Sequence, residues 1–538
     1  MKRLQWLVSL IFVISLLAAC VPPVLTTQSG KAPSESTGES ARTTLRIGAS
    51  NMTDVLDAQQ AFAGFSVDSG QIAQPLFRID PETGGLIPDL ATSWEFSEDG
   101  TSLMVKLPDG ALFSNGDPLD AQALKDAWLR YKTISPYSFD FEMLKDVNVV
   151  DNRTADVLFN EPPAAMLAVL VTAFGGVWNT SVAEKIGNEA FAIAPVASGP
   201  LMVQDFTANS DLTLVRNPNY HTNLPFVKNQ GPLHIETVEV RLIREEVTLA
   251  GELETGAIDL AVNAPPSAIK RLANNPDIQL YEYFEPGYVG IAMNLKHPYF
   301  SDLRVRRAIA KAVDREAIVK VLGDTTAPQH AFISSAMVAY SAEMESYARD
   351  LYPRDVEAAR ALLAETGWAD SDGDGIVELK GEPFVVEFLT PATDTQRQQA
   401  SQILQTQLRE IGIDIQIVQQ EDGYIRDTMS AGDYDMGFDS FGWRDPDIFS
   451  GVLAGDWRNY PQYDNPGVVE KLNTARTILN PTERTAAYTE LQQIWLDEVV
   501  EIPLWQRRSF IAARTWVQGL IVGPNNRDMY LNDVIIVE

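Results

Sequence analysis

The stretch 76–128 constrains this chain more than any other. It opens as a strand, turns at Gly84-Gly85, and continues as two strands of alternating apolar and polar residues joined at Glu98-Asp99-Gly100. An Asp-Gly pair between alternating strands is a strong hairpin signal, because the turn needs a residue at positive φ. A helix then opens at Asp120, whose carboxylate suits an N-cap. Strands and a helix in such quick succession set up a mixed α/β body, and the rest of the chain keeps that alternation.

The N-terminus fixes the compartment independently. Lys2 and Arg3 precede a mostly apolar run, 4–19, that is too short for a spanning helix and reads as a secretory signal. It ends Leu17-Ala18-Ala19-Cys20, similar to a bacterial lipobox, so cleavage before Cys20 and lipid on its sulfur are expected; the alternative is an ordinary signal with an incidental Cys. Cys20 is the only cysteine, which leaves no thiol for a disulfide or for catalysis. Residues 21–44 are rich in Pro, Ser, Thr and Gly and read as a disordered tether. About 490 residues follow, too many for one hydrophobic core.

The chain carries 42 basic and 73 acidic residues, a net charge of −31. That balance argues against nucleic acid, which requires basic patches. A field of this sign favours cationic or ammonium-bearing ligands, although a solvated acidic surface also accounts for it. No Gly-x-Ser-x-Gly elbow, His-Glu-x-x-His or phosphate-cradling loop occurs, and the four histidines (His221, His234, His297, His330) are far apart. No cofactor is expected and no enzyme activity.

Helical and strand periods place the remaining elements. Residues 122–130 form a helix that ends near Pro136, and 147–159 alternate as an antiparallel pair around Asp151-Asn152. Val305, Ala308, Ile309, Ala312 and Val313 share one helical face, with Ser301 as the expected N-cap and Arg304, Arg306 and Arg307 on a solvated face. Asp314 caps a second helix that stops at Gly323. Strand 384–389, helix 396–411 and strand 413–418 make a βαβ unit, which implies a parallel pair. Before it, Asp370, Asp372 and Asp374 match the front of a calcium loop, but position twelve is Gly381. Without that bidentate carboxylate, a hydrogen-bonded surface turn is expected, with weak Ca²⁺ binding as the alternative.

Four phrases recur in a known order. They are the Pro88–Trp94 box with the Phe113–Leu119 box; Pro195–Leu201 followed by Asn217-Pro218-Asn219-Tyr220; the run from Gly290-Ile291-Ala292-Met293-Asn294 through Val305-Arg306-Arg307-Ala308-Ile309 to Asp314-Arg315; and Gly432–Phe438 leading to Phe441-Gly442-Trp443-Arg444-Asp445-Pro446. Together with Ile502-Pro503-Leu504 they resemble the family-5 extracellular solute-binding proteins of ABC importers, which include dipeptide-, oligopeptide- and nickel-binding proteins. Ala197 and Leu201 depart from the Gly and Tyr of the family pattern.

The resemblance implies an α/β fold of the periplasmic-binding-protein type II: two lobes plus an extra domain inserted in the first. Lobe I would comprise 45–75, 199–288 and 511–538, the inserted domain 76–198, and lobe II 289–510. It implies capture of a peptide by cleft closure and delivery to permease and ATPase subunits, by a monomer held outside the cytoplasm, in the periplasm or on the outer membrane face, through the Cys20 lipid. An oligosaccharide, a metal chelate or a non-transport receptor role are the alternatives.

The expected ligand residues are Phe441, Trp443, Arg444 and Asp445, with Tyr288 and Asn294 beside them. In peptide-binding relatives an Asp after the Trp accepts the ligand's ammonium, a role that suits a carboxylate because a buried ammonium needs a charge-assisted partner. Here only Arg444 separates Trp443 from Asp445-Pro446. Asp445 aligns either with that acceptor or with a later Asp-Pro pair, and in the second case the acceptor is missing.

Overall fold

One strand organises the body. Glu501–Arg514 runs for 14 residues, roughly 45 Å at the usual rise of a strand, and changes partners along its length. Residues 501–505 pair with Val289–Met293, 505–507 with Thr326–Pro328, 508–514 with Ile278–Phe284, and 511–513 with Leu260–Val262. Its two ends are buried, while Arg507, Arg508 and Ser509 in the middle are half-buried. A strand covered at both ends and thinly covered between them is what a waist between two packed halves requires.

The computed structural model describes residues 42–61, 67–80, 85–455, 458–523 and 528–537. The expected signal, Cys20 and the tether as far as residue 41 lie outside the described residues; the last three residues of the expected tether are part of the fold, because Arg42 pairs with Asp259, Thr43 donates to Glu236 and Thr44 opens the strand Thr44–Ala49. Among those described, the largest sheet has twelve strands. On one side of the long strand lie Leu260–Val262, Thr44–Ala49, Thr237–Leu242, Asp211–Arg216 and Leu201–Thr207; on the other lie Val289–Met293, Met436–Ser440, Val385–Pro391 and Asp414–Gln420. The expected βαβ unit is present. Val385–Pro391 and Asp414–Gln420 pair in parallel, joined by the helix Thr395–Arg409, whose Ala400, Leu404 and Leu408 are fully buried.

The hairpin read from Glu98-Asp99-Gly100 joins Ser93–Phe96 to Ser102–Lys106, with Gly100 at φ +71°. Two further antiparallel strands, Thr154–Phe159 and Leu144–Asp151, complete a separate four-stranded sheet. The helix Ala121–Ile134 packs on it, opened by Asp120 accepting from the Ala123 N–H at 2.9 Å and anchored by the fully buried Trp128 and Tyr131. This sheet shares one continuous core with the first half of the large sheet, whereas the second half has its own core around Phe388, Phe438 and Trp505.

Two local expectations are corrected. The N-cap of the helix Leu303–Ala312 is Asp302, which accepts from the Arg304 N–H at 2.9 Å, rather than Ser301. Arg306 is not on a solvated face. It is 8% exposed and donates to the carbonyls of Phe300, Ser301, Glu498 and Val499. Two of these are orphan carbonyls at the end of the helix Pro481–Glu498, where a cation satisfies both hydrogen bonding and the helix dipole.

Candidate functional site

The strand Met436–Ser440 is apolar enough to be buried until its last residue, and there the chain leaves the sheet as Phe441-Gly442-Trp443. Gly287, in the connection between Ile278–Phe284 and Val289–Met293, sits directly beneath. Its φ is +89°, and a Cβ there would lie 2.1 Å from the Phe441 carbonyl oxygen, so only glycine fits. The waist and the loop carrying the aromatic pair are therefore packed backbone to backbone.

Facing that loop is the short turn Ser138–Phe141, which follows the helix Ala121–Ile134, and the apolar helix Leu167–Leu170. A cavity of about 680 Å³ lies between the two sides. Tyr137, Asp140 and Phe174 line one wall and Phe441, Trp443 and Asp447 the other, with Arg458 and Arg476 among the lining cations. This volume and its mix of aromatic walls with a few charged groups are those of a small-molecule site. Arg476 spans the cavity, reaching Glu142 at 2.8 Å on one side and Asp447 at 3.2 Å on the other.

The carboxyls of the site are shifted upward by burial. Asp140 is pushed up to about 7 by desolvation and, less, by Asp447 and Glu142, with the Tyr131 hydroxyl opposing. Asp447 is raised by burial, with Arg476 pulling it back. Behind the wall, Arg458 is ion-paired with Asp439 and donates to the Ser440 carbonyl at 2.9 Å. Asp439 and Glu501 stand opposite Gly290 and Ala292 of the intervening strand, so both project from the same sheet face. Among the described residues Asp439 Oδ2 and Glu501 Oε1 have no hydrogen-bond donor, and burial, helped by the neighbouring Asp439 charge, holds the Glu501 carboxyl well above its usual range.

The six residues expected to meet a ligand separate into two groups. Phe441 and Trp443 line the cavity. Arg444 turns instead toward Asp528, 3.2 Å away. Asp445 is 1% exposed, and Arg484 takes both its oxygens, at 2.6 and 2.7 Å, while the Asp447 N–H donates to one of them. Asp445 is thus neutralised from within the fold by Arg484. The Tyr288 hydroxyl donates to Glu501 at 2.7 Å and its ring stands edge-on to Phe441, 5.0 Å between centroids. Asn294 donates to the carbonyls of Gly432 and Tyr434, tying the strand end to a turn. These two support the site from behind.

Asp140, Asp447 and Arg476 were not read as site residues. Nothing in their local spacing marks them, since Asp140 meets Asp447 and Arg476 from a segment more than 300 residues away. Elsewhere, Asp370, Asp372 and Asp374 are joined by Glu378, with ligand atoms within 4.8 Å of one another. Their oxygens also accept from backbone N–H groups of the same turn, as in Gly373 N–H to Asp370 at 2.7 Å.

Known proteins agree with this architecture. The model of the bacterial extracellular solute-binding proteins, family 5, matches residues 85–459. Heme-binding protein A of Haemophilus influenzae is 24% identical, over 92% of this chain and 95% of its own. The probable D,D-dipeptide-binding periplasmic protein DdpA of Escherichia coli is 24% identical, over 81% and 82%. In structure the chain is similar to NikA from Brucella suis in complex with Fe(III)-EDTA (TM-score 0.81, 22% identity, covering 92% of this chain and 100% of that one). It is also similar to the oligopeptide-binding protein AppA from Bacillus subtilis in complex with a nonapeptide (TM-score 0.71, 19% identity, 93% and 99%). These matches give the fold as the mixed α/β architecture of the type II periplasmic binding proteins. With its waist strand and inserted sheet, and with the family's model matching most of its length, the chain belongs to the bacterial extracellular solute-binding proteins of family 5.

Proposed function

We propose that this protein captures a short peptide in the cavity between Tyr137, Asp140 and Phe174 on one side and Phe441 and Trp443 on the other, and delivers it to an ABC permease and its ATPase without chemical conversion. The observation that carries the reading is the cavity itself, with aromatic walls and charged groups of both signs. A zwitterion needs both signs, while side-chain variation is tolerated where aromatic walls and water fill the remaining space. The carboxylates Asp140, Glu142 and Asp447 outnumber the arginines Arg458 and Arg476, which disfavours a polyanionic chelate.

We assign the division of the chain as 45–75, 199–288 and 511–538 for lobe I, 76–198 for the inserted domain and 289–510 for lobe II. Closure would turn on the connection around Gly287 and the half-buried middle of Glu501–Arg514. A solute can drive it only by binding the closed form more tightly than the open one. Arg476, paired to both walls, would hold the closed form. Attachment to the membrane through lipid on Cys20 rests on the sequence. Among the described residues no helix is long and apolar enough to cross a bilayer.

The test is mass spectrometry of the solute that co-purifies with the full chain, followed by calorimetry with that compound and X-ray scattering with and without it. A bound peptide and a smaller radius of gyration on binding are expected. A sugar or metal chelate would replace the peptide reading, and an unchanged radius would reject closure.

A further inference from the structure

We propose that Asp140 is the receptor for a positively charged group of the solute, contributed to the cavity by the inserted segment rather than by the loop after Trp443; this rests on the reading of the cavity as the solute site. Three observations carry it.

First, the arginines among the described residues that line the cavity already have carboxylate partners. Arg458 is held by Asp439, and Arg476 by Glu142 and Asp447. Asp445, the nearest acid in sequence to Trp443, is saturated by Arg484. Second, Asp140 lines the cavity yet pairs with no cation among the described residues; the Tyr131 hydroxyl, at 3.1 Å, is its one protein donor among them. Third, its surroundings are aromatic. Tyr137, Phe174, Phe441 and Trp443 line the same space, and aromatic faces attract a cation while excluding water.

Asp140 is half-buried, and a carboxylate partly withdrawn from water with no counter-charge favours a ligand that brings the charge. Among the described residues, the titratable and charged groups around Asp140 are Tyr131, Tyr137 and Glu142 from its own segment and Asp447, Arg458 and Arg476 from the rest of the cavity. Both acids of this set push its proton affinity up, as burial does, and bring it to about 7. A protonated amine seated beside it would expel the proton. Binding at pH 7 should then release roughly half a proton per solute, since a group titrating near that pH is half-protonated there.

The experiment applies two pools of di- and tripeptides, one with free amino termini and one N-acetylated and lacking Lys and Arg, to the full chain, to Asp140→Asn and to Tyr131→Phe. Retained species are counted by mass spectrometry. Proton release is measured by calorimetry in buffers of different ionisation enthalpy. Wild type should retain free-amine peptides and not acetylated ones. Asp140→Asn should lose about 30-fold or more in affinity, the scale of a buried charge left without its partner. Tyr131→Phe keeps the carboxylate and should bind as well as wild type; if Asp140→Asn does not fold, this variant and the proton count decide. Equal retention by Asp140→Asn, equal retention of acetylated peptides, or zero proton release overturns the assignment while leaving peptide capture standing. If wild type retains neither pool, the peptide reading fails, and the same comparison is run with spermidine and glucosamine. Asp140-dependent capture of either then supports the receptor, and its absence overturns it.

Discussion

The pair Asp445–Arg484 separates a structural carboxylate from a ligand-binding one. Arg484 is 4% exposed and grips Asp445 with two hydrogen bonds, at 2.6 and 2.7 Å, while its guanidinium lies 5.3 Å from the centre of the Tyr488 ring. Asp445→Ala would leave that guanidinium buried and uncompensated, which costs about 3–5 kcal/mol. That is a large share of the roughly 5–15 kcal/mol by which folded domains are stable. The helix Pro481–Glu498 carries Arg484, and Asp445 precedes the helix Ile448–Val452, so the loss should fall on the packing of these helices around Phe449 and Trp495. Urea unfolding followed by Trp fluorescence should show the midpoint moved to lower denaturant. Solute affinity, measured well below the transition, should change little. The double variant Asp445→Leu/Arg484→Met should recover most of the stability, because a buried ion pair replaced by apolar groups of similar volume is often neutral. Should Asp445→Ala unfold at the wild-type midpoint yet lose its solute, Asp445 is a ligand acceptor and the reasoning is refuted.

Gly287→Ala forces a Cβ to 2.1 Å from the Phe441 carbonyl at a left-handed φ, so roughly 2 kcal/mol or more should be lost along with affinity; thermal melts and calorimetry that match wild type would dismiss the contact. Because the Glu501 carboxyl is raised by burial beside Asp439, folded Glu501 keeps a proton that the unfolded chain surrenders above its ordinary value of 4.5. Its stabilisation is therefore complete below that pH and wanes as pH rises toward the folded value. Glu501→Gln can accept from Tyr288 without titrating, so its melting temperature should gain on wild type with increasing pH; parallel curves from pH 5 to 9 would reject a proton held on Glu501. Arg476→Ala removes the bridge between Glu142 and Asp447; scattering of the solute-free protein should report a larger radius of gyration, and an identical profile would deny Arg476 a role in holding closure.

What the chain says by itself is local and repetitive. Alternation around Glu98-Asp99-Gly100, the carboxylates at Asp120 and Asp314, and the strand–helix–strand period at 384–418 specify elements through contacts a few residues long. The four ordered phrases carry the family, and with it the waist and inserted sheet. What the sequence did not contain is which charges meet. Asp445 and Asp140 are both acids near aromatic residues, yet one is neutralised by an arginine 39 positions away and the other faces a cavity and pairs with no cation among the described residues. Arg306 sits at a position that helical period leaves to solvent, but carbonyls almost 200 residues distant claim it. Electrostatic partners are fixed by distances of a few ångströms in space, which sequence separation does not encode, so the elements were legible in the chain while the pairing of its charges belonged to the tertiary fold.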